Sequence, residues 1–185
     1  MKNSVDLHKN SSNHIVIEPC IGLAWQPLTG STNTKALNKN NLLTLSLIDV
    51  LEEQHVTQSE SGHRSHELNN IDAKLNLLLH LVAQLLGHDQ NQPDMIKVNL
   101  SAQDIEWLSE TKPEQGQALL INLYLDNEYQ HALRLTAQVQ KVEAVNNVYR
   151  IKARFTQLDD ALREQFEKWI FRYHRRDVAQ TRSRS

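Results

Sequence analysis

The sequence contains a single cysteine, Cys20, so no intrachain disulfide can form and no zinc-ribbon spacing exists. Its five glycines are dispersed, and no glycine-rich loop is available to cradle a phosphate. No run approaches the roughly 18 consecutive apolar residues of a membrane span. Residues 1–6 lack the apolar core of a signal peptide. A cytoplasmic location without membrane insertion is the expectation by elimination. Charge of one sign is also missing: the net charge is −2, so no overall field draws the chain to nucleic acid or anionic lipid.

Catalytic constellations are equally scarce. Ser101 has no Gly-x-Ser-x-Gly elbow and no histidine close in sequence to act as base. The acidic pairs Glu52/Glu53 and Asp159/Asp160 are adjacent residues, which point apart on a helix and read as caps or solvated faces. Among nine histidines, His63/His66 and His80/His88 are spaced three and eight apart. No carboxylate or cysteine completes a compact first shell around either pair, so no metal is expected. Cys20, beside Pro19 in an apolar stretch, is expected to be a buried small hydrophobe. Nothing supports an enzyme.

What is present is pattern. Residues 1–14 are rich in Asn, Ser, Lys and His and read as a disordered tail. Residues 15–28 read as extended segments broken by Pro19 and Pro27, and 29–41 as polar loop. Residues 42–53 (LLTLSLIDVLEE) have helical spacing, with Asn40 or Asn41 as the expected N-cap. From Met95, the stretches MIKVNL, DIEWL, QALLINLYL, HALRLTAQVQKV and NVYRIKARF alternate with period 2 or form short apolar runs. Turn residues separate them, so five strands of a small antiparallel barrel or sandwich are expected. Residues 159–176 read as a terminal helix capped by Asp159 or Asp160, with Leu162, Phe166, Trp169, Ile170 and Tyr173 on its apolar face. The last residues, TRSRS, read as disordered.

The strongest periodicity lies within 64–87. Leu68, Ile71, Leu75, Leu78, Val82 and Leu85 follow an unbroken a/d heptad rhythm, and Gly87 supplies a stop. With Leu68 at a, the e positions are Asp72, Leu79 and Leu86, and the g positions Glu67, Lys74 and Leu81. A parallel dimer would set Glu67 against Asp72 and leave three leucines half exposed. A bundle of three or four helices buries these flanks better, so Leu68, Ile71, Leu75, Leu78, Leu79, Val82, Leu85 and Leu86 are the candidate self-association seam.

The run NLSAQDIEW at 99–107 is similar to the Asp/Asn-x-Ser-x-x-Gly strand–turn motif of the bacterial PilZ family. Asn99 and Ser101 match it, and Asp104 stands where the family has glycine. The heptad helix before this run and the final helix (WIFRYHRRDVAQTR) after it resemble the tetrameric PilZ subgroup, over roughly residues 15–182. The resemblance implies an α+β fold: a small antiparallel β-barrel at 15–177, helical insertions at 42–53 and 64–87, and a basic tail at 178–185. It also implies a homotetrameric regulatory adaptor in cyclic di-GMP-linked control of motility, pili or virulence, acting on an unidentified protein partner.

The family binds its nucleotide with an Arg-x-x-x-Arg pair placed before the barrel, where guanidiniums stack on guanine and fork onto phosphate. Only Arg64 precedes Asn99 here, so that pair is missing. Asp104 adds negative charge where an anion would approach. Standard cyclic di-GMP binding, and any other cofactor, is therefore not expected. Asn99 and Ser101 are expected to serve the turn through side-chain to backbone hydrogen bonds. Two alternatives remain open. One is a receptor using an atypical arginine set, Arg150/Arg154 or Arg172/Arg176. The other, weaker, is nucleic-acid binding through the basic terminus, where Arg172, Arg175 and Arg176 form a candidate anion or partner patch.

Overall fold

In the computed structural model, the residues described are 15–30, 32–57, 75, 78, 93–125 and 131–183, side chains from 50 to 57 and at 183 excepted. Seven strands form one antiparallel sheet: β1 Cys20–Pro27, β2 Met95–Lys97, β3 Asn99–Leu100, β4 Asp104–Ser109, β5 Ala118–Tyr124, β6 Leu133–Val145 and β7 Val148–Thr156. Their order is β2-β1-β5-β6-β7-β4-β3. Its two ends, β2 and β3, are the two halves of the run 95–100. Val98 donates to Pro19, and Ile17 and Leu100 exchange both backbone hydrogen bonds at 2.9 Å. One short run thus serves β1 on one side and β4 on the other, leaving a nearly closed barrel. Closure needs strong coiling, which the extra residue Gln140 supplies by bulging β6 against β7.

Period-2 alternation fills the interior. Ile21 and Leu23, Ile105 and Trp107, Leu119, Ile121 and Leu123, Leu133, Leu135, Ala137 and Val139, and Ile151, Ala153 and Phe155 all point inward and are buried. The same alternation corrects the expectation for Cys20. With Ile21 and Leu23 inside, its thiol faces out of β1 and is exposed.

Helix α1 runs Thr34–Thr57, starting well before the expected residue 42. Its N-cap is Asn33, whose Oδ1 accepts from the Ala36 N–H at 3.1 Å, and not Asn40 or Asn41. Residues 34–41, which mimicked a loop, are helical, and Asn38 and Asn41 among them face the barrel. Strand β7 stops at Thr156, so β6, paired with β5 on its other side, has no strand on its β7 side at Arg134. The Asn41 amide takes that place: its Nδ2 donates to the Arg134 carbonyl at 2.8 Å, and its Oδ1 accepts from the Arg134 N–H at 2.9 Å. One turn earlier, Asn38 Nδ2 donates to the carbonyl of Gln157 at 2.9 Å. Both asparagines are buried. Asn41→Ala takes from the Arg134 N–H and C=O their partner on that side, and is expected to cost about 1–3 kcal/mol in chemical denaturation.

Helix α2 spans Asp160–Ser183. Asp159 caps it as expected, accepting from the Leu162 N–H at 2.8 Å. The helix continues past the expected end at Arg176, through most of the stretch read as a basic tail. Leu162, Phe166, Trp169 and Ile170 are buried in the same core as the barrel interior and Leu45 and Ile48 of α1. Phe155 meets Phe166 edge-on, Phe166 stacks on Trp169, and Trp169 tilts against Tyr173. Burial, with Asp177 adding, holds the Tyr173 phenol above its usual pKa. Among the described residues, no helix is long and apolar enough to cross a membrane.

Candidate functional site

The turn between β3 and β4 carries the nucleotide-motif residues. Ser101 is buried, and its Oγ accepts from the backbone N–H groups of Gln103 at 3.2 Å and Asp104 at 3.0 Å. The same oxygen lies 2.9 Å from Asp104 Oδ1 and 3.2 Å from the Asp104 carbonyl, both within donating reach of its hydroxyl. Serine in this position holds a tight turn by mimicking backbone. Its hydrogen-bonding capacity is turned into the chain, as expected. Asp104 also lies 3.5 Å from Lys152 Nζ on β7. Asn99 does not serve the turn as expected: exposed on β3, its Nδ2 donates to the Glu106 side chain on β4, to Oε1 at 3.3 Å, and not to backbone.

These contacts belong to a charged lattice on the outer face of the barrel. Register sets Asp104 beside Arg154, Glu106 beside Lys152 and Leu108 beside Arg150. Arg150, Lys152 and Arg154 alternate outward along β7 and are exposed. Glu106 lies 3.8 Å from Arg150 Nε. All three cations therefore stand by carboxylates, Arg150 at 3.8 Å, Lys152 at 3.5 Å and Arg154 in register with Asp104, which lowers the field available to an anionic ligand.

The basic helix is less free than its sequence suggests. Arg172 pairs through Nη2 with Asp49 of α1, and the other Asp49 oxygen accepts from Gln165 Nε2 at 2.8 Å. Arg172 is thereby committed between the helices and does not extend the candidate patch. Arg175 lies over the Phe171 ring at 5.9 Å, and Arg176 is exposed. A groove of about 440 Å³ beside α2 is floored by Ile15, Ala102, Ile170 and Phe171. Its rim includes Glu164, whose bond to Lys168 lowers the carboxyl pKa.

Of the heptad seam, Leu75 and Leu78 are described. Both are helical and exposed, at 52% and 58%. Leu68, Ile71, Leu79, Val82, Leu85 and Leu86 lie outside the described residues, as do His63, His66, His80 and His88. Among the described residues, no three potential metal ligands gather. The polar contacts of α1 escaped the sequence reading. The available signal was spacing: Asn38, Asn41, Leu45, Ile48 and Asp49 fall on one helix face.

A family model described as "Atypical PilZ domain, cyclic di-GMP receptor" matches residues 42–183. Among solved structures, a pathogenic protein from Xanthomonas campestris is similar, with TM-score 0.72 and 21% identity over 91% of this chain and 93% of that one. That protein is described as a new tetrameric PilZ domain self-assembled via an unusual helical bundle. The Bacillus subtilis inhibitor of motility (MotI/DgrA) matches more weakly, with TM-score 0.36 and 13% identity over 43% of this chain and 41% of that one. No curated protein matches the sequence. The barrel order, the serine-held turn at 101–104 and the family match converge: this chain belongs to the atypical PilZ domain family.

Proposed function

We propose that the chain is a cytoplasmic, non-enzymatic adaptor in cyclic di-GMP-linked regulation, assembled as a homotetramer by the leucine-striped helix within 64–87. The observation that carries this reading is the exposure of Leu75 and Leu78 on successive a and d positions. An isolated helix of this length is marginal in water, and apolar side chains at adjacent seam positions call for a partner surface. The similar Xanthomonas protein, tetrameric through a helical bundle, supplies a precedent for the stoichiometry. Several copies of one barrel tethered in a bundle would hold a protein partner with avidity. The test is molar mass by light scattering at micromolar concentration. Four times the 21.3 kDa chain is expected, and a monodisperse single chain overturns the assembly.

Nucleotide binding in the family's standard manner is not part of this proposal. Three features support leaving it out: the missing upstream arginine pair, the Asp104 carboxylate at the glycine position, and the inward commitment of Ser101. Titration calorimetry with cyclic di-GMP is expected to give no saturable heat. A stoichiometric low-micromolar site would favour the rival reading, a receptor using Arg150 and Arg154 on the open face of β7. Loss of that heat in Arg154→Ala would locate it.

A further inference from the structure

Helix α1 is fastened at two separated points, and the two fastenings differ in kind. Near its start, Asn38 and Asn41 bond backbone groups of Gln157 and Arg134, which belong to the barrel and its exit toward α2. Two to three turns later, Asp49 is held by Gln165 and Arg172 of α2. Between these points the contact is aliphatic, through Leu45 and Ile48. Aliphatic ridges tolerate sliding and tilting at little energetic difference, because apolar attraction has no direction. Hydrogen-bonded charge pairs have direction, and fixing register is the best-attested use of such polar contacts beside an apolar seam.

The geometry points to α1 as a strut of fixed direction, with Asp49 and Arg172 as positioning residues that set the angle at which it lies on α2 and the barrel. The stretch carrying Leu75 and Leu78 follows α1 in the chain. The direction of α1 on α2 is therefore where the path from the barrel to any bundle that stretch forms begins. That last consequence rests on the assembly reading above, whereas the strut itself is a property of one chain.

The discriminating variant is Asp49→Leu with Arg172→Met in the full chain, which replaces the polar pair by apolar groups of comparable bulk. The pair is only partly buried, at 37% side-chain exposure for Arg172 and 19% for Asp49, and exchanging such a pair for packed apolar residues costs little. The strut therefore predicts an unchanged or raised melting temperature together with a loss of fixed direction. Direction is read by pulsed electron-spin distances between labels on Cys20, exposed on β1, and Ser46→Cys, exposed on α1. Labelled chains are diluted into unlabelled ones so that each distance is internal to a chain.

The parent should give one narrow distance. The Leu/Met variant should give a broadened distribution, or a second component displaced by about 5 Å, the rise of one helical turn. Arg172→Lys keeps the charge but replaces the planar, oriented guanidinium by a flexible point donor, and should broaden the distribution partially. A parent-like distance in either folded variant overturns the proposal. So does failure of the Leu/Met variant to fold, which would make the pair a cohesive element and not a directional one. Light scattering on the same samples reports assembly separately, so a monomeric parent with a narrow distance defeats the tetramer and leaves the strut standing.

Discussion

Leu75→Glu combined with Leu78→Glu is expected to reduce the light-scattering mass to that of one 21.3 kDa chain. Burying a leucine in a helical seam contributes about 1.5–3 kcal/mol. A glutamate in its place forfeits that and adds several kcal/mol for desolvating a charge near its symmetry mates. Two such changes in every chain exceed what a micromolar assembly can absorb, since each 1.4 kcal/mol is tenfold in affinity. Helix propensity is not the confounder, because glutamate and leucine are both good helix formers. The barrel should keep its far-ultraviolet signature, as both leucines are exposed in the single chain. Leu43→Glu is the control. Leu43 is 62% exposed on α1, outside the heptad stripe, and its replacement should leave the mass of the parent unchanged.

Phe166→Ala is expected to destabilise the fold by about 3–5 kcal/mol, the usual cost of emptying a large aromatic site in a packed core. Phe166 is fully buried, edge-on to Phe155 of β7 and stacked on Trp169. Its loss therefore separates α2 from the barrel and weakens the surface on which α1 rests. In thermal unfolding at fixed chain concentration this corresponds to a drop on the order of 10 °C. The neighbouring Phe171 is 48% exposed, and Phe171→Ala should cost under about 1 kcal/mol. Equal effects from the two substitutions would mean that α2 is not a core element.

The barrel was legible because its strands are half-buried and carry clean alternation. Ile151, Ala153 and Phe155 inward with Arg150, Lys152 and Arg154 outward is a pattern of period 2 that needs no tertiary information. The split of MIKVNL into β2 and β3 at Val98 was not legible, since serving two neighbours at once is a property of closure and not of composition. The first turns of α1 were read as loop because Asn and Thr compete locally with helical backbone bonds. Their partners, Arg134 and Gln157, lie about a hundred residues away. The turn role of Ser101 was readable, because its hydrogen bonds stay within three residues. The commitment of Arg172 was not, as Asp49 stands 123 positions earlier. Local chemistry could be read from spacing, whereas pairings made by the fold could not.

The asparagine that completes β6 has one more effect. A strand flank with bare amide and carbonyl groups is a template on which any passing extended chain can add itself, and high local concentration accelerates such recruitment. Holding several barrels together on one stalk would create that concentration permanently. By filling the vacant position beside Arg134, the side chain of Asn41 removes a nucleus for strand exchange between neighbouring barrels, so proximity can be gained without runaway polymerisation.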